Sequence, residues 1–123
     1  MKKCITIAAL ATILMASTHA HAADCSYAYY AADEAYTYAR RGYNASDLDE
    51  AEYYARKAKN SAEVAMYEAD NCGCDDAFYA ADSAYTYARR AYNSGDYDDA
   101  TRYLRRSKNA SEEAMMYADS CGI

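Results

Sequence analysis

Small apolar residues recur along this chain at alternating steps of three and four, with aromatic or polar residues between them. One stripe runs Cys25, Ala28, Ala32, Ala35, Ala39, Gly42, and the next runs Ala51, Ala55, Ala58, Ala62, Ala65, Ala69, Cys72. Both return further on, as Cys74, Ala77, Ala81, Ala84, Ala88, Ala91 and as Ala100, Leu104, Ser107, Ser111, Ala114, Ala118, Cys121. Only an α-helix brings side chains three and four apart onto one line; a strand would need alternation in twos, and there is none. The spacing predicts four helices, over roughly 27–44, 47–70, 76–93 and 96–119.

The stripes return because a unit is duplicated. Residues 25–72 align with 74–121 without a gap, a period of 49, and 28 of 48 positions are identical. Within Tyr30–Asn44 and its copy, 13 of 15 match. Such a copy predicts one supersecondary unit stacked on itself. Local signals shape each unit as a helical hairpin. Arg40-Arg41 and Arg89-Arg90 fall in the last turn of a first helix, where cations complement the helix dipole. Asp47 and Asp96 fit as N-caps, with Glu50 and Asp99 three residues later, and Ser46 and Gly95 mark the bends. Glu52–Arg56, Lys59–Glu63, Asp98–Arg102 and Lys108–Glu112 are spaced to pair on solvent faces.

The expected fold is therefore all-α: two tandem antiparallel hairpins forming an up-down-up-down four-helix bundle. Alanine at the seam positions lets helices approach closely, as in an antiparallel alanine coil. Tyr29, Tyr36, Tyr43 and Phe78, Tyr85, Tyr92 flank the stripe on one side, with Tyr38 and Tyr87 on the other. The first helix of each unit thus has a face wide enough for two neighbours. One segment, Gly95-Asp-Tyr-Asp-Asp-Ala100, resembles the inter-helix turn of tetratricopeptide repeats. That resemblance implies protein or peptide binding. It covers the turn alone: the period is 49 rather than 34 and the closing proline is absent.

The ends place the chain. Lys2-Lys3, the apolar run Cys4–Met15 and Ala20-His21-Ala22 read as a bacterial signal peptide over 1–22, cleaved before Ala23. Residues 23–123 then form a single periplasmic or secreted domain of two repeats, and the apolar run is too short to span a membrane. The exported part has no histidine, tryptophan or proline, which excludes histidine bases and imidazole metal ligands. Without Lys2 and Lys3 it holds 11 cations against 19 acids, a net of −8. That balance disfavours nucleic acid and anionic lipid, and no basic stripe is evident.

Candidate chemistry is sparse. Four cysteines remain after cleavage, an even number that in an exported chain predicts disulfides, Cys25–Cys72 and Cys74–Cys121. A crossed pairing is the fallback. The bundle converges all four at one pole, where a four-thiolate metal site is the competing possibility, although Cys-x-Cys is not the usual knuckle spacing. The acid-rich turns lack the length and closing glutamate of a calcium loop. No carboxylate pair or glycine-rich phosphate loop is present. No cofactor, metal or catalytic residue is therefore assigned, and an enzyme is not expected. The expected role is that of a small exported protein that binds a protein or peptide, or structures the cell envelope, through tyrosine-rich faces. Tyr30, Arg40 and Arg41 with Tyr79, Arg89 and Arg90 are the candidate binding face. Sequestration of a metal or small ligand by the cysteine pole or the acidic turns is the alternative.

Overall fold

In a computed structural model, residues 24–121 are described. The expected signal segment and its cleavage point lie outside them. Four helices follow in order: α1 (Ser26–Tyr43), α2 (Leu48–Asn71), α3 (Asp75–Tyr92) and α4 (Tyr97–Cys121). No described helix is long and apolar enough to cross a membrane. Each helix lies against both sequence neighbours, and α4 returns against α1, closing a four-helix bundle rather than an open stack.

The helix ends follow from their side chains. Asp47 accepts from the Glu50 backbone N–H at 2.9 Å, and Asp96 does the same for Asp99 at 2.9 Å. The Glu50 carboxylate reaches back to the Ser46 N–H at 2.8 Å, so the reciprocal bond falls one residue before the cap. Cys25 offers α1 no side-chain cap. Asp24 instead accepts from the hydroxyl and N–H of Ser26 at 2.6 and 3.1 Å, and these bonds, the hydroxyl first, hold its carboxyl below the usual range. Gly73 and Gly95 sit at φ of 76° and 70°, where a side chain would be strained, and both turn the chain between helices.

The core is almost entirely alanine. Apart from Cys72, which is half-buried, and Cys121, which is exposed, the predicted stripes are the buried residues, joined by Ala45, Ser61, Ala80 and Ala110, and Leu104 is the one large side chain fully buried among them. At mid-bundle, Ala32, Ala35, Ala62, Ala65, Ala81, Ala84, Ser111 and Ala114 close together with no room for a water molecule. Tyrosines line the seams rather than fill the centre: Tyr38 stacks on Tyr54 and Tyr87 on Tyr103, each pair with centroids 6.4 Å apart. A ring covering a seam keeps its hydroxyl in water while its carbon face shields alanine.

The copies are not interchangeable at every site. Gly42 and Leu104 occupy positions whose repeat counterparts are Ala91 and Ala55. A Cβ on Gly42 would lie 2.8 Å from Leu104 Cδ1 and 3.1 Å from Tyr54 Cβ. Glycine plus leucine thus replaces alanine plus alanine where α1 meets α4. Two serines extend the asymmetry. Ser107 donates to the Ala84 carbonyl at 2.9 Å, while the Ser111 hydroxyl is buried with no partner among the described residues.

Candidate functional site

Disulfides join Cys25 to Cys72 and Cys74 to Cys121, with Cα atoms 5.4 and 6.0 Å apart. Each closes the open end of one hairpin. α2 is 24 residues against 18 for α1, and the joined ends lie level, so its surplus of about 9 Å projects at the opposite pole. There Tyr97 donates to the Ala45 carbonyl at 2.6 Å and ties one bend to the other. The bundle therefore has a cysteine pole and a turn pole.

At the cysteine pole the sulfurs of Cys25, Cys74 and Cys121 lie within 4.8 Å of one another. All four cysteines are in disulfides, and a disulfide sulfur carries no thiolate charge to hold a metal. Four acids of the bends are likewise engaged: Asp47, Glu50 and Asp96 cap helices, and Asp99 pairs with Arg102.

The residues of the predicted binding face all lie at the surface, spread along α1 and α3. Tyr30 and Tyr79 stand exposed, edge-on to Tyr29 and Phe78. Arg40, Arg41, Arg89 and Arg90 are exposed in the last turns of α1 and α3. Ten residues of helix separate Tyr30 from Arg40, about 15 Å, so the ring and the guanidinium belong to opposite halves of the molecule. The residues that do surround an arginine pair are others. A shallow groove of about 440 Å³ is lined by Arg89, Arg90, Asn93, Ser94, Asp99 and Tyr103.

That groove belongs to a larger feature, which a net charge conceals. All eleven Lys and Arg of residues 24–121 fall in residues 36–59 and 85–108, the turn-pole half of the four helices. Seven acids share that half, for a net of +4; the other half, residues 24–35, 60–84 and 109–121, has twelve acids and no cation. The absence of a basic stripe expected from the −8 balance is thus corrected by the fold, which gathers two basic segments into one girdle. The two clusters, 40–59 and 89–108, are visible in the chain as written; only their convergence at one pole needs the structure.

Six of the girdle's cations, Arg56, Lys57, Lys59, Arg89, Arg106 and Lys108, lie on aromatic rings. Lys57 Nζ is 5.6 Å from the Tyr38 centroid and 5.2 Å from that of Tyr53, and Arg106 covers Tyr87 at 5.8 Å. Lys59 reaches Tyr92 at 5.5 Å and Lys108 reaches Tyr43 at 5.7 Å, each linking one repeat to the other. The spaced acid–base pairs expected along α2 and α4 do not form; among the described residues the ion pair present is Arg102–Asp99, three apart. A long half-buried stem gains more from lying on a neighbouring ring than from a solvated carboxylate on its own helix. Compared with known proteins, the chain matches no family model, no curated protein and no solved structure.

Proposed function

We propose that this is a non-enzymatic exported binding protein that docks an acidic segment of a protein partner on its basic, tyrosine-lined girdle. The observation that carries the reading is the gathering of every cation of residues 24–121 into the turn-pole half. Arginines beside aromatic rings are the usual anchors of such contacts, and the Arg89/Arg90 groove gives a side chain somewhere to enter. The acidic half steers the same partner toward the girdle by repulsion. Periplasmic or secreted localisation agrees with the two disulfides.

The test is binding of a labelled glutamate-rich peptide to the oxidised protein, followed by crosslinking in the native envelope. Changing Arg89, Arg90, Arg105 and Arg106 to Ala should weaken peptide binding at least about tenfold with the helical signal intact. Equal binding by the variant overturns the proposal. The alternative, metal held by the cysteine pole, draws on the clustered sulfurs and requires both disulfides to be reduced. A stoichiometric transition metal in protein purified from the periplasm would favour it.

A further inference from the structure

Both hairpins descend from one unit, so a face needed only to build the bundle should be alike in each. Their buried stripes are uncharged in both and differ only at a few small or aliphatic positions, but their outer faces differ in charge. On hairpin one the α1–α2 seam is marked by Tyr38 stacked on Tyr54, by Lys57 over Tyr38 and Tyr53, and by Ser61 donating to Glu34 at 2.8 Å. Around this seam Tyr27, Tyr53 and Val64 are 70%, 47% and 50% exposed. Their counterparts on hairpin two are Asp76, Arg102 and Glu113, all charged and exposed. One exchange runs the other way, Glu68 to Tyr117, near the end of α4.

We propose that the outer face of hairpin one binds a second copy of this chain, antiparallel, in a twofold dimer. The charge distribution selects the occupant and its direction. A parallel pairing would lay one acidic half against another, whereas an antiparallel one lays each acidic half on a basic girdle, twice over and with closure. A twofold axis across the middle of this face sets α1 against α1 and α2 against α2. With the axis at the middle of α2, it puts Tyr53 within one turn of the second copy's Val64 and Arg41 at the level of the second copy's Asp33. The apolar and cationic groups on one half thus meet the apolar and acidic groups on the other. α1, about 27 Å long, and α2, about 36 Å long, together about 20 Å across, offer about 600 Å² per copy, the lower end of a standard interface. End-to-end stacking would also match the charges, but it offers only the bundle's cross-section. Hairpin two, with the Arg89/Arg90 groove, stays outward in such a dimer, so the dimer does not rest on the function proposed above.

The experiment is sedimentation equilibrium of the oxidised chain. Association into dimers is expected below about 200 µM at low salt, weakening at least about tenfold as salt rises from about 50 to about 500 mM. Tyr53→Arg with Val64→Glu installs the residues with which hairpin two already folds, and it should abolish the dimer with an unchanged helical signal. Should that pair lose helix, Tyr27→Asp, at the exposed start of α1, reads the same face. A wild-type chain that stays monomeric at low salt overturns the proposal, as does a folded variant that dimerises normally. Carbodiimide crosslinks joining Lys57 to acids within 24–34 or 60–71 of the other copy support the antiparallel order. Crosslinks confined to Asp47–Glu52 overturn it.

Discussion

Gly42→Ala should destabilise this protein even though it replaces glycine by the best helix former within a helix. Alanine at this position, in the last turn of α1, gains at most about 1 kcal/mol of backbone propensity. Against that, the new methyl would stand 2.8 and 3.2 Å from the two Leu104 methyl carbons and 3.1 Å from Tyr54 Cβ. Leu104 is fully buried and Tyr54 Cβ is fixed to the α2 backbone, so neither yields freely. Overpacking of this kind costs about 1–3 kcal/mol, so a net loss of up to about 2 kcal/mol is expected. Leu104→Ala alone should lose about 2–5 kcal/mol by opening a cavity. Joining the two changes recreates the Ala91/Ala55 arrangement that the molecule already packs at the equivalent site. In the Leu104→Ala background, Gly42→Ala should therefore become stabilising, reversing its sign, with a coupling of about 2 kcal/mol. Urea unfolding of the four oxidised proteins measures this cycle. Additivity within about 0.5 kcal/mol, or a wild-type background stabilised by Gly42→Ala, would refute the reasoning.

Reduction of both disulfides should lower the melting temperature by well over 10 °C. Each bridge closes a loop of 48 residues, removing unfolded-state freedom worth about 4 kcal/mol, and an alanine core buries too little apolar area to replace it. A melt unchanged by reductant would show that the tyrosine-covered seams carry the fold. The buried serines should respond in opposite directions: Ser111→Ala removes an unpartnered hydroxyl and should stabilise by about 1 kcal/mol, while Ser107→Ala loses a bond to Ala84 and should destabilise by a similar amount. Equal effects of one sign in denaturant unfolding would contradict the hydrogen-bond assignments.

Helix content, order and register were legible from the residues alone, because the heptad stripes admit one secondary structure and the duplication leaves little freedom in how it is arranged. Ala28 through Ala118 are buried where their spacing put them, and Asp47 and Asp96 cap the helices they precede. These are properties of local periodicity and backbone hydrogen bonding, which a sequence states directly. What surrounds a cation is not local. Lys59 has Glu63 one turn away on its own helix, yet lies on Tyr92 of the other repeat, because that ring comes near only when α2 packs on α3. Tyr30 and Arg41 fall near one line of α1, but their distance along the axis separates them. The girdle shows the same division. Its two basic segments are written in the chain, but the net charge of −8 over residues 24–121 sums over a length that the bundle folds into two unlike ends. The pairing of Gly42 with Leu104 likewise lies beyond the sequence, since 62 residues separate two groups that only tertiary packing brings within van der Waals reach.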